Sequence, residues 1–270
     1  MTLLRRAACV AGCLCLAVVA FVRPASAGAI EDILECGLRN LPPAGHAIAK
    51  LWTRPNAKAP EHAIDFEYWS LQAEPGQRRV LIARKNAEPD QVAAYLFAEG
   101  EAIGEAWEYI PAHHKPERAH AHGDKSRLFG TNLTLEDFAR TARVLFAGQI
   151  RQLPDATVEG RPVYVVQTKP APDAESEYTR IVTSIDKEQC LVLRRESFDP
   201  AFAKGAKPRK VYAVSTKDVR QEGAYFVATR ASLEDAKDGS QTRLEVEKFD
   251  LPKQLDPKLF TPEALAHPGQ

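Results

Sequence analysis

The sequence predicts a mainly β protein with few helices: one curled antiparallel sheet of about eleven strands with helical segments covering its concave face. Three observations predict it. Runs of alternating apolar and polar residues recur between residues 46 and 251. Turn chemistry separates the later ones, as in Gly160-Arg-Pro162, Asp186-Lys-Glu188, Lys204-Gly205 and Asp238-Gly239. Two segments, 28–42 and 127–146, carry helical periodicity instead. A sheet that large curls, and its concave apolar face needs a cover. The two helices are the obvious cover for an incompletely closed barrel.

Residues 1–27 read as an export signal. Arg5 and Arg6 give a charged start, residues 7–22 an apolar core, and Ala25-Ser-Ala27 small residues ahead of a cut at Gly28. The apolar run falls short of the roughly 20 residues of a comfortable membrane span. Residues 28–270 are then a single domain outside the cytoplasm. The rival reading is lipid attachment at Cys13, in "VAGC". It leaves almost no apolar core before the cut and places the most apolar residues after it. Cleavage ahead of Gly28 removes Cys9, Cys13 and Cys15. Cys36 and Cys190 remain, and two cysteines in an oxidising compartment predict a disulfide across a long loop; the alternative is two buried thiols.

In 28–42, Ile30, Ile33, Leu34, Gly37 and Leu38 recur at helical spacing until Pro42-Pro43 stops the helix. Strands follow at 46–54, 62–74 and 78–86, and two more in 93–111 around Glu99-Gly100-Glu101. Residues 112–126 have no apolar period and read as a polar loop. A turn at Gly130-Thr131-Asn132 leads into the second helix. Thr134 and Asp137 have capping-box spacing. Leu135, Phe138, Ala142 and Leu145 fall on one face, with Glu136, Arg140 and Arg143 facing away. Strands then resume at 158–170, 177–186, 190–199, 209–219, 224–235 and 242–251.

Composition excludes some functions. Basic and acidic residues number 36 each, so the concentrated basic excess of a nucleic-acid surface is missing. The chain has no G-x-S-x-G, H-E-x-x-H, Cys-x-x-Cys or phosphate-cradling glycine loop, and nothing predicts an enzyme or a cofactor. His113, His114, His120 and His122 cluster in the polar loop. His120 and His122 could point two imidazoles the same way on an extended chain, a weak metal candidate without a companion at fixed spacing. Asn132-Leu-Thr134 matches a glycosylation acceptor, but turn and cap explain the same residues. Trp52, Phe66, Tyr68, Trp69, Tyr95, Phe97, Trp107 and Tyr109 concentrate before the second helix. They read as core or as cavity lining, which overlap on a curled sheet. The candidate lining set is Phe66, Tyr68, Trp69, Tyr95, Phe97, Trp107, Tyr109, Phe129, Leu135, Phe138 and Leu145.

The stretch "EYIPAHHKPERAHAHGDKSRLFGTNLTLEDF" resembles a signature of the periplasmic outer-membrane lipoprotein-sorting proteins, the LolA-like group. A strand ends at Tyr109 to Pro111, a loop follows, then the turn Gly130 to Asn132 and the helix start Thr134 to Phe138. "VEGRPVYVVQTKP", "SEYTRIVTSIDKEQCLVLRRESFD", "TRLEVEKFDL" and "LDPKLFTPEAL" follow in the family's order. The loop is His-rich where relatives are Arg-rich, and Ser184 stands where they often carry Trp. The resemblance implies a half-open barrel with a helical lid, in the periplasm. It implies a carrier for a lipid or lipoprotein, touching membranes only peripherally and working with an inner-membrane RND-type exporter. The mid-chain helix is then expected to shift when acyl chains enter. The alternatives are a structural envelope protein binding another protein along a sheet edge, and a hydrolase using carboxylates or a histidine-bound metal.

Overall fold

In the computed structural model the described residues are 27–74, 77–99, 103–120, 127–139, 148–172 and 176–269. Helix α1 (Ala27–Arg39) leads into strands β1 (Ala44–Arg54), β2 (His62–Glu74), β3 (Gln77–Arg84), β4 (Ala94–Glu99), β5 (Ile103–Tyr109) and β6 (Pro116–Arg118). Helix α2 (Leu135–Ala139) follows. The second half holds β7 (Gln149–Val158), β8 (Arg161–Lys169), β9 (Arg180–Asp186), β10 (Val192–Phe198), β11 (Lys210–Ala213), β12 (Val219–Glu222), β13 (Tyr225–Ala228), β14 (Arg230–Asp235) and β15 (Ser240–Asp250). None of the described helices is long and apolar enough to cross a membrane.

Thirteen strands form one sheet in the order β6-β5-β4-β3-β2-β1-β15-β14-β11-β10-β9-β8-β7, and β12 and β13 form a separate hairpin. The pairs are antiparallel, and the sheet is not closed. Its seam is the β1–β15 pair, which joins two meanders, one from each half of the chain.

Eleven of these thirteen strands answer to the sequence expectation; β6 and β7 do not. Both are edge strands and each contains a proline, Pro116 and Pro154. Proline has no N–H to give a ladder, so an edge tolerates it and a sequence reading discounts it. Both also blunt the edges against pairing with another chain. The expected runs 209–219 and 224–235 break. Ser215 accepts from the Lys217 amide and starts a tight turn at Thr216–Asp218. The residues beyond it lift off as the β12–β13 hairpin.

Strict alternation sets the faces. On β2, Ile64, Phe66 and Tyr68 point to the concave side. They pack with Val80, Ile82, Tyr95, Phe97, Leu128, Phe129 and Leu135. Trp69 points the other way, where Leu81, Leu96, Trp107 and Tyr109 meet Phe260 and Leu265 of the C-terminal segment. The first meander is therefore covered on both faces, by residues 128–138 inside and by the C-terminal segment outside.

Helix α1 packs Ile33 against Val166, Ile185 and Val192 of the second meander. Cys36, one turn on, is bonded to Cys190 across a separation of 154 residues. Leu38, expected on the apolar face, is 40% exposed. It lies two residues past Cys36, more than half a turn round the helix. Closing so long a loop restricts the unfolded chain by about 5 kcal/mol in the chain-entropy treatment. A Cys36→Ala/Cys190→Ala variant is therefore expected to unfold at a clearly lower urea concentration, with a loss approaching that figure. A loss below about 1 kcal/mol would show that α1 does not depend on the bridge.

Candidate functional site

The concave face of β1 is built from small residues. Gly45, Ala47 and Ala49 are buried in alternation with half-buried His46, Ile48 and Lys50. Cross-strand neighbours are larger: Ala47 stands between Tyr68 and Phe249, and Ala49 between Phe66 and Val246. Small residues on the floor and large ones on both flanks leave a void. It measures about 210 Å³ and is roofed by Leu128, Phe129, Leu133 and Phe138. Phe129 holds its place with φ at 50°, a region a bulky residue seldom adopts. Phe138 lies 5.8 Å, ring to ring, from both Tyr68 and Phe97.

A second chamber of about 190 Å³ adjoins the first beneath the β12–β13 hairpin and the end of α1. Both chambers share Tyr68, Arg78, Tyr212, Val227, Ala228 and Phe249 as walls. Asn40 fixes the hairpin at this point: its Nδ2 donates to the Phe226 carbonyl at 2.8 Å, and the Phe226 amide donates back to Oδ1 at 2.7 Å. Together the chambers enter the ~300–1,000 Å³ range of small-molecule sites. A hollow of about 350 Å³ also lies on the outer side, near Leu193, Val214 and Ala231. Its arginines are paired: Arg194 with Glu196 at 3.0 Å, Arg230 with Asp218 at 3.5 Å and Arg243 with Glu61 at 2.9 Å. It is a solvated groove of compensated charge.

The roof is pinned by a buried polar network. Thr134 and Asp137 form the capping box: the Asp137 amide donates to Thr134 Oγ1 at 3.1 Å, and the Thr134 amide donates to Asp137 Oδ2 at 3.2 Å. The same carboxylate receives Lys210 Nζ at 2.7 Å and the Tyr178 hydroxyl at 2.8 Å. Lys210 also donates to the Asn132 carbonyl at 2.9 Å, and Arg195 to the Asp137 carbonyl at 2.8 Å. Asn132 Nδ2 reaches the Leu233 and Ser240 carbonyls. Beside it Arg209 bonds Asp199 at 3.1 Å and Asp235 at 3.2 Å. Glu136, expected to face solvent, is buried and accepts from Ser176 Oγ and the Glu177 amide. Residues 176–178 cross the outer side of the helix start, which leaves it no exposed face.

Burial alone would push the Asp137 carboxyl up. The Lys210 and Arg195 charges, with hydrogen bonds from Lys210 and Tyr178, outweigh it and hold the carboxyl down to about 2. Burial, and then the Asp137 charge, push the Tyr178 phenol well up. These groups hold the roof in place and leave the cavity walls apolar.

The expected lining residues divide. Phe66, Tyr68, Phe129 and Phe138 line the cavity. Tyr95, Phe97 and Leu135 pack in the cluster beside it. Trp69, Trp107 and Tyr109 do not reach it; they lie on the opposite face of the sheet. Leu145 falls outside the described residues, as does His122. His120 is exposed, and no cluster of metal-ligating side chains occurs among the described residues. Sequence reasoning missed Arg78, which shares the parity of Val80 and Ile82 on β3 and so faces inward. It also missed Lys210, Tyr178 and Arg195, whose meeting with Asp137 depends on the tertiary fold.

An open, curled antiparallel sheet around an apolar hollow with a pinned roof defines a half-barrel of ligand-enclosing shape. A family model described as "Uncharacterized protein" matches residues 76–267, and the chain belongs to that family. The fold is LolA-like. It is similar to a domain described as outer membrane lipoprotein-sorting from Vibrio parahaemolyticus, with TM-score 0.73 and 20% identity over 88% of this chain and 98% of that one. A DUF1329 family protein from Desulfovibrio piger gives TM-score 0.74 and 17% identity, over 87% of this chain and 96% of that one. A LolA superfamily protein from Nitrosomonas europaea gives 0.63 and 16%, over 87% and 98%. At these identities the likeness is one of fold. No curated protein matches the chain.

Removing Lys210 leaves the Asp137 charge buried with its main counter-charge gone. Lys210→Met is expected to cost about 3–5 kcal/mol in urea unfolding at neutral pH. Lys210→Met/Asp137→Asn, which removes the charge as well, is expected to recover part of that loss; a double variant no better than the single one would contradict the account. The Asp137 carboxyl lies lower in the folded protein than its ordinary value of 3.8. Its contribution, of roughly 2 kcal/mol, is therefore complete above about pH 5 and lost as pH falls through 4 toward 2. Asp137→Asn should flatten the acid limb of the stability profile over that interval.

Proposed function

We propose that the protein is a periplasmic carrier that shelters the acyl chains of a lipid or lipid-modified protein between the inner and outer membranes. The observation that carries the reading is the void over Ala47 and Ala49, walled by Phe66, Tyr68, Phe138 and Leu244. A sheet that needed only a core would fill that floor with larger side chains, since closely packed interiors leave few such gaps. The similarity of fold to a lipoprotein-sorting domain supports the same reading, and the charged-then-apolar start of the chain supports the compartment.

The energetics suit the task. Each acyl methylene left in water costs about 0.8 kcal/mol, so a lipid does not cross an aqueous gap unshielded. An apolar groove of matching width offsets that cost without chemistry. A carrier of this kind takes its loading energy from a partner, for which an RND-type exporter in the inner membrane is suited, and releases its cargo to a receiver that binds it more tightly. The pinned roof implies that cargo reaches the cavity from the side of the β12–β13 hairpin. The hairpin lies off the main sheet, and its strand residues are half-buried or exposed.

Native mass spectrometry of protein recovered from the periplasm without detergent tests the proposal. Adducts of lipid or lipopeptide mass, lost on solvent extraction, are expected. An Ala47→Phe variant, which fills the floor of the cavity, should fold and carry none. A bare chain mass for the unaltered protein, unchanged after incubation with envelope lipids, would contradict the carrier reading.

A further inference from the structure

Both chambers of the cavity have mainly apolar walls, with Ser232 and Thr242 in the first and Asn40 in the second. Among the described residues lining either, Arg78 is the single charged side chain, and it lines both. It opens β3 with the inward parity of Val80 and Ile82 and is half-buried. Its Nη2 donates to Ser70 Oγ at 2.6 Å; Ser70 is itself fully buried on β2. Its Nε is shut off from solvent and has no hydrogen-bond partner. Among the carboxylates whose side chains are described, none pairs with it; Glu99 is its backbone partner in the β3–β4 register.

A guanidinium placed this way is costly. Its charge is partly desolvated and one of its inner donors is unmet. Of the other buried cations, Arg209 and Lys210 each meet carboxylates. The planar edge formed by its two terminal nitrogens matches the two oxygens of a carboxylate or phosphate. Arg78 stands where the two chambers meet, with the Ala47 and Ala49 floor on one side and the α1 end on the other.

Resting on the carrier reading above, we infer that Arg78, with Ser70 behind it, is a head-group subsite, and that the cargo is an anionic amphiphile. One carboxylate or phosphate sits on the Arg78 edge and the acyl chain lies over Ala47 and Ala49. The ligand supplies a counter-charge that none of the described side chains gives. Ser70 acts as a positioning residue, holding Nη2 so that the terminal end of the guanidinium is presented to the chamber.

The test uses protein produced from the full-length chain, delipidated, with a fluorescent fatty-acid probe in the cavity. Displacement is read for three competitors of equal chain length: palmitate, palmitoyl lysophosphatidic acid and hexadecanol. Palmitate or the lysophosphatidic acid, or both, should displace at a concentration about tenfold to a hundredfold below hexadecanol, the size expected for hydrogen bonds to a charged group. The stronger of the two identifies the head-group chemistry. Arg78→Gln should erase the preference while leaving hexadecanol unchanged. Arg78→Lys should keep part of it, and Glu99→Gln should keep all of it. Circular dichroism and thermal melting confirm that each variant is folded. Equal displacement by all three in the unaltered protein, or a preference that survives Arg78→Gln, would overturn the subsite and leave the carrier standing. Failure of the probe and all three competitors to bind would remove the carrier reading itself.

Discussion

The concave face of this sheet depends on one carboxylate. Asp137 closes the capping box that starts α2, and the same oxygens receive Lys210 from β11 and Tyr178 from the segment leading into β9. Through Asn132 the adjoining turn is tied to β14 and β15. The cover over the first meander is thus fastened by polar groups of the second. That division of labour matters. Had the roof been held by apolar contact alone, its side chains would have been drawn down onto the Ala47 and Ala49 floor, and the void would have closed. Directional hydrogen bonds fix its height instead. The cost of burying the charges is met inside the network, where donors surround the carboxylate.

Two different kinds of constraint therefore bound the cavity. The floor is open because small side chains alternate along β1. The roof stays off it because a buried ion pair sets its position. The expectation that the whole mid-chain helix moves as a lid does not suit this arrangement at its start: residues 131–137 cannot lift without breaking the Lys210 contact. The hairpin β12–β13 is held more lightly, by Asn40 and by the Thr229 contacts to the Asp218 carbonyl, and together with the α1 end it walls the second chamber.

Much of the fold was legible because strand alternation is a local property. The runs at 46–54 and 62–74 show their faces in sequence, and the Thr134–Asp137 spacing showed the cap. The Cys36–Cys190 bridge was legible from compartment and count. What failed needed information that neighbouring residues do not carry. Tyr68 and Trp69 cannot both face one side of a strand, yet nothing local says which of them faces the hollow. β6 and β7 were hidden because proline argues against a strand unless its edge position is known. Glu136 looked solvent-facing because the segment that crosses it begins 40 residues later, at Ser176. The meeting of Asp137 with Lys210, 73 residues apart, leaves no trace in either neighbourhood. Arg78 was the missed residue that parity could have found, since it continues the inward series of Val80 and Ile82.

The central claim is that the space over Ala47 and Ala49 is a site for an acyl chain, kept open by a roof that stays fastened. The most direct measurement is a crystal structure of the protein isolated from the envelope with its cargo in place. The account predicts continuous density for an acyl chain between the β1 floor and Phe138, with the Asp137–Lys210 contact intact. Density confined to the outer face of the sheet, or a collapsed cavity with Phe138 resting on Ala47, would contradict it.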